Sequence, residues 1–303
     1  MSIRPVLETR PAHPTLEGAG VKLHRAFGFQ DPTELDPFLL FDDFRNDRPE
    51  DFAKGFPWHP HRGIETITYV LSGSVTHEDS LGNTGALGAG DVQWMTAGSG
   101  IMHQEMPTAS ATGQMHGFQL WGNLPAAQKM TDPRYQDVQA KEIPHVIDDD
   151  GTLVKIIVGS FWGKTGPVDG IAADPQYLDV TIPAGVRKTL PIDTYRRAFA
   201  YVFEGAGAFV DAARPTGVLL EKEVLGQELN IRDMSGNRTL VRFGSGDEIT
   251  VQAGPEGVRF LLITGAPIQE PVAWHGPIVM NTRDELKTAM QDLRNGTFIK
   301  AAH

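Results

Sequence analysis

Two pairs of residues limit what this chain can fold into. His59 and His61 stand two apart in Trp58-His59-Pro60-His61-Arg62-Gly63, and His103 and Glu105 stand two apart in Met102-His103-Gln104-Glu105-Met106. On a β-strand, side chains two apart project from the same face. Each extended segment can therefore present two donor groups side by side. Two such strands laid across one another bring three imidazoles and one carboxylate to a point. That donor set suits a first-row transition metal.

The rest of the chain reads as β-rich. Its 33 glycines and 21 prolines are spread along 303 residues, as expected for short strands joined by tight turns. Residues 66–71 predict a strand running into Ser72-Gly73-Ser74, a hairpin signal. Residues 77–85 predict a polar, glycine-bearing loop, Gly88-Ala89-Gly90-Asp91 a turn, and 92–96 and 116–121 further strands. Residues 36–44 predict an apolar strand entering a polar turn. The adjacent Asp42 and Asp43 would face opposite sides there, so they read as turn and rim residues rather than a catalytic pair. The polar stretch 125–144 predicts a short helix or an open linker. The boundary between two domains, 1–140 and 141–303, is expected there.

The second half echoes the first. Tyr69-Val70-Leu71-Ser72-Gly73 returns as Tyr201-Val202-Phe203-Glu204-Gly205, and Gly88-Ala89-Gly90-Asp91 as Gly244-Ser245-Gly246-Asp247. The donors do not return. The offsets of the first-half ligands fall on Pro191, Asp193, Arg259 and Leu261 in the second half. Near the end, Thr282 and Glu285 stand at capping-box spacing before Leu286, Ala289, Met290 and Leu293. This is an amphipathic helix that Gly296 should stop.

Several functions are set aside by composition. A net charge of −11 leaves no footprint for a nucleic-acid backbone. With no cysteine there is no disulfide, thiolate nucleophile or thiolate metal site. No apolar run reaches the roughly 20 residues of a membrane span, and the N-terminal residues lack a signal-peptide pattern. The expected location is cytoplasmic and the expected state a monomer. Gly159-Ser160-Phe161-Trp162-Gly163-Lys164-Thr165 has one residue too few between its glycines for a phosphate loop. Gly205-Ala206-Gly207 reads as a hairpin turn. His77 and His116 read as loop or packing residues, and His145, His275 and His303 lack a partner at ligand spacing. Trp94, Met95, Met106 and Met115 read as barrel core.

The segments Phe41-Asp42-Asp43-Phe44, His59-Pro60-His61-Arg62-Gly63, residues 90–98, His116-Gly117-Phe118-Gln119-Leu120-Trp121 and residues 276–282 together resemble the pirin family, within the cupin superfamily. The resemblance implies an all-β chain of two cupin domains, jelly-roll β-barrels in tandem, with a short C-terminal helix. It implies Fe(2+) in the first domain on His59, His61, His103 and Glu105, with other divalent transition metals accepted by the same donors. The general cupin pattern would nominate Glu65 instead of Glu105. Glu65 lies about 13 Å along a strand from His61 and is kept as a supporting carboxylate. Two functions follow from the resemblance. One is a quercetin 2,3-dioxygenase, with a flavonol and O2 as substrates and Glu105 as catalytic base. The other is a regulator that senses redox state through its iron and acts on a protein partner.

Overall fold

The computed structural model describes residues 2–209, 221–224, 227–230 and 234–300, with side chains for 2–209 and 234–300. Among these, strands predominate, and the one α-helix is Arg283–Asn295. Among the described residues, no helix is long and apolar enough to cross a membrane.

The chain divides into two compact units, His13–Glu142 with Ile268–His303, and Met1–Ala12 with Ile143–Pro267. The expected break near 140 is close to one of the crossings, but contiguous halves 1–140 and 141–303 are not what the chain forms. The reason lies in strand pairing and ion pairing at the two ends. Strand Val6–Pro11 runs antiparallel to Thr239–Phe243. Ile278 bridges Arg62, and Arg62 also pairs with Asp292 of the helix.

The first unit holds the histidine pairs. Its larger sheet runs, in spatial order, Arg134–Val138, Val92–Thr96, Ile64–Ser72, His116–Asn123, Phe38–Asp43, Val21–Phe27 and His13–Glu17. A second sheet of four strands runs Phe56–His61, Ile101–Thr108, Ser74–Asp79 and Thr84–Leu87. The two strands flanking Gly73 belong to different sheets, so the expected hairpin there is a corner instead. Gly73 sits at φ +78, and a Cβ on it would lie 2.6 Å from the Thr108 carbonyl oxygen. Only glycine turns this corner without strain. The hairpin lies one strand later. Residues 74–79 and 84–87 pair, and Asp79 caps the turn by accepting from the backbone of Leu81 and Asn83. The predicted loop at 77–85 is thus mostly strand.

Apolar side chains from both sheets fill this unit, among them Val70, Val75, Met95 and Ile101. Trp94, Met95 and Met115 are buried as expected, whereas Met106 is half-buried. Asp42 and Asp43 are not rim residues. Both lie buried in strand Phe38–Asp43, where Arg25 and Arg45 respectively pair with them. Residues 125–144 form two 3-10 turns around strand Arg134–Val138. The C-terminal helix starts on the expected capping box and ends at Gly296 in the left-handed conformation. Ala289 is buried, and Leu286, Met290 and Leu293 pack beside it against Ile278 and Met280.

The main sheet of the second unit has nine strands, and Ser160–Phe161 with Lys164–Thr165 and Glu221–Val224 with Gln227–Asn230 form two further strand pairs. Its long strands Arg197–Phe209 and Glu248–Gly265 pair with each other and with their neighbours. Leu178, Val180 and Ile182 alternate along one strand and join a core with Ala200, Val202 and Leu262. Gly205-Ala206-Gly207 is no hairpin turn. It lies inside strand Arg197–Phe209, where the register shifts between Gly205 and Gly207, and Gly205 takes φ +65. The glycines mark a β-bulge.

Candidate metal centre

Strand Phe56–His61 pairs antiparallel with Ile101–Thr108, and the register sets His59 opposite His103 and Ile101 opposite His61. The alternation that makes residues two apart share a face brings the His59 and His61 rings to the same side as that of His103. Each of these three histidines offers a ring nitrogen, all within 4.8 Å of one another. Ring centroids are 4.9, 4.4 and 5.0 Å apart.

The hydrogen bonds identify which nitrogens face inward. His59 Nδ1 lies 2.9 Å from the Pro57 carbonyl oxygen and His61 Nδ1 lies 3.2 Å from that of Pro277. A carbonyl oxygen only accepts, so each Nδ1 carries the proton and donates. Each neutral ring is then left with a bare lone pair on Nε2. Those two Nε2 atoms face each other at 3.1 Å. Two ring nitrogens at that distance need either a shared proton or a metal cation with them. His103 adds two buried ring nitrogens that find no hydrogen-bond partner among the described residues. Burial, reinforced by the neighbouring imidazoles, pushes the His61 imidazole well below its ordinary value. Burial likewise takes His103 down to about 4, although the nearby Glu105 carboxylate opposes it. Two buried imidazoles favoured in the neutral form, beside the inward Nε2 of His59, fit a transition-metal ion.

Glu105 stands apart from this set. The strand register slips between His103 and Glu105, and the Glu105 carboxylate is not among the atoms that converge within 4.8 Å. It is buried beside them, accepting from Thr68 Oγ1 at 3.2 Å and from Gln119 Nε2 at 3.2 Å on both oxygens. Glu65 is buried one strand away, accepting from Thr96 Oγ1 at 2.7 Å.

The remaining histidines are elsewhere. His77 is buried against Gln93 and Tyr135, and His116 packs on Phe118. His145 and His275 are exposed, and His303 falls outside the described residues. In the other unit, Arg259 pairs with Asp179, Leu261 is buried, Asp193 holds Arg196, and Pro191 ends a strand. None of these joins a metal-ligating cluster among the described residues.

A cavity of about 490 Å³ opens over the histidines, and His59, His61 and Glu105 lie on its wall. Its apolar side is formed by Leu40, Phe44, Phe56 and Trp121. Trp121 meets His61 edge-on at 5.1 Å and lies 6.3 Å from Phe29. Phe29 packs on Trp274 at 4.7 Å and takes φ +56, a backbone state that bulky residues rarely adopt. Glu17, Arg25 and Asp42 form a charged part of the same wall, with Arg25 bound to Asp42 by two hydrogen bonds of 2.8 and 2.7 Å. Sequence reasoning did not find these wall residues. The spacing of Gln119 and Trp121, two apart on one strand, is a signal that could have found these two.

The C-terminal segment completes the floor. Besides the Pro277 carbonyl on His61, Val279 donates its N–H to the Arg62 carbonyl. Lys129 is fully buried below, donating to the carbonyls of Gly63 and Val279 and to Asn123 Oδ1. Burial pushes its pKa down to about 8.

Residues 20–122 match the family model "Pirin", and residues 177–299 match "Pirin C-terminal cupin domain". The chain is 43% identical over 299 residues to a pirin-like protein of Caulobacter vibrioides, covering 98% of this chain and 100% of that one. It is 39% identical over 281 residues to pirin of Homo sapiens, covering 92% and 88%. A solved structure of quercetin 2,3-dioxygenase from Acinetobacter baumannii superimposes with a TM-score of 0.83 at 30% identity, covering 98% and 99%. The all-β, two-cupin architecture expected from the sequence is borne out by these matches.

Proposed function

The chain belongs to the pirin family, and on that premise we propose that it is an iron-dependent dioxygenase of the quercetin 2,3-dioxygenase type. Fe(2+) would be held by His59, His61 and His103, with Glu105 as fourth ligand. The observation that carries this reading is the pair of Nε2 atoms that face each other at 3.1 Å at the base of an aromatic-walled cavity. The likeness to a solved quercetin 2,3-dioxygenase supports the reaction class.

A bound iron ion would supply Lewis acidity, lowering the pKa of a hydroxyl that coordinates it. The protein's own groups do the rest. The cavity has the volume of a small-molecule site, for which roughly 300–1,000 Å³ is usual. Its aromatic side, Phe56 and Trp121 above all, suits the flat rings of a flavonol and keeps water from them. The Arg25–Asp42 pair offers a donor and acceptors to ring hydroxyls. Glu105 would accept the proton of the 3-hydroxyl as general base, a role that its neutral hydrogen-bond donors Thr68 and Gln119 support. Overall, one flavonol and one O2 would become one ring-opened ester and one carbon monoxide: the C2–C3 and C3–C4 bonds break, C3 leaves with its own oxygen as carbon monoxide, and the two oxygens of O2 are added at C2 and C4.

The test is loss of flavonol absorbance and release of carbon monoxide by iron-loaded protein. His59→Ala and His103→Ala should each abolish both metal retention and turnover. Glu105→Gln should lower turnover far more than metal content. Unchanged flavonol absorbance with fully iron-loaded wild type would end the proposal.

A further inference from the structure

We propose that Gln119 is a positioning residue that holds the Glu105 carboxylate back from the three imidazoles, and that Trp121 fixes which way it does so. The inference rests on the metal-binding reading of the histidines, not on the flavonol reaction.

Gln119 and Trp121 lie two apart on strand His116–Asn123 and so share a face. Thr68 is the cross-strand partner of Gln119 on the neighbouring strand. The Gln119 amide has two ends of different chemistry. Trp121 Nε1–H, which can only donate, lies 3.1 Å from Gln119 Oε1. That contact assigns the oxygen to the Trp121 side, and the NH2 group must therefore face Glu105. From there it donates to both carboxylate oxygens at 3.2 Å, while Thr68 adds a third hydrogen bond. Hydrogen bonds to a carboxylate are about twice as strong as neutral ones.

This arrangement explains why three histidines converge and the carboxylate does not. The register slip after His103 gives Glu105 freedom to sit to one side, and Gln119 supplies the attraction that keeps it there. To ligate an ion with the histidines, Glu105 has to give up hydrogen bonds to Gln119. Trp121 links this choice to the cavity, because its indole also forms the wall beside His61. A ring bound against Trp121 that disturbs the indole N–H would loosen Gln119 and so release Glu105.

The experiment uses metal-free full-length protein and Co(II) as the probe, with affinity measured by chelator competition. Gln119→Met keeps the length of the side chain and removes both amide ends. It should tighten Co(II) binding about tenfold, the worth of one charge-assisted hydrogen bond no longer competing for Glu105. In the Glu105→Gln background the same change should have no effect. Trp121→Phe keeps an aromatic ring, smaller than the indole, and removes the N–H, and should tighten binding by a smaller factor, about threefold. If Gln119→Met does not fold, Trp121→Phe decides alone. Unchanged or weaker Co(II) binding in these variants overturns the proposal, as does equal tightening without Glu105. Wild type that binds no Co(II) would instead refute the metal site itself.

Discussion

Replacing Arg62 by methionine should undock the C-terminal helix while leaving most of the side chain's packing in place. Arg62 is 2% exposed. Its guanidinium donates to the Ser99 carbonyl at 2.7 Å, to Asp292 Oδ2 at 2.8 Å and to the Phe298 carbonyl at 2.9 Å, and it lies 4.2 Å over the Phe298 ring. Methionine strands two buried carbonyl oxygens, at about 1–3 kcal/mol each, and loses the cation–π contact, about 1 kcal/mol. Asp292 loses less, because Lys300 and Thr297 still reach it. The cost of burying the guanidinium is recovered, so a net loss of about 3 kcal/mol follows, at the low end for breaking a buried ion pair. At 1.4 kcal/mol per tenfold, that raises the undocked population about 100-fold. Trypsin with mass spectrometry is the assay, since Arg283, Lys287, Arg294 and Lys300 all lie in the segment that would be freed. Cleavage there should accelerate by about that factor while cleavage of the second unit stays constant. Acceleration of less than about fivefold would show that the apolar contacts of the helix, and not Arg62, hold it down.

Two further outcomes follow from the same region. Gly63 takes φ +77, and a Cβ there would lie 2.0 Å from the Val279 carbonyl oxygen. Gly63→Ala should therefore lose about 3 kcal/mol or more in chemical denaturation of the first unit and weaken metal retention at the adjacent His61, and a loss under about 1 kcal/mol would contradict the packing described. Asp292 is held at about 2 rather than 3.8, first by Arg62 and then by Lys300. A carboxylate depressed in the fold contributes stability above its unfolded value, lost as pH falls from 3.8 toward 2. For this partly exposed group the contribution is about 1 kcal/mol once solvent screening is allowed for. Carboxyl-carbon NMR should give a midpoint near 2 in wild type and one moved back toward 3.8 in Arg62→Met; identical midpoints would mean that Arg62 is not the cause.

What could be read from residues alone depended on range. The three histidines were legible because strand alternation is local, and the helix because its cap, its period and its terminal glycine all lie within sixteen residues. Gly73 and Gly205 were misread as hairpin turns because a glycine signals positive φ but does not say which strands it joins. The positions of Asp42 and Glu105 were not legible either. They depend on Arg25 and Gln119, which reach them from other strands, and no spacing rule encodes such a contact. The interleaving of the two ends was hidden for the same reason, since strand Val6–Pro11 finds its partner more than two hundred residues away.

That interleaving has a consequence for how the protein comes into being. Pro277 and Asp292, which brace His61 and Arg62, are made after the whole of Ile143–Pro267. On the ribosome, the histidine-bearing unit must wait, unfinished, while an intervening body of the chain is translated and emerges. A metal ion meeting the nascent polypeptide would find an incomplete cradle, so on the proposed metal-binding reading any loading would follow the synthesis of residue 292.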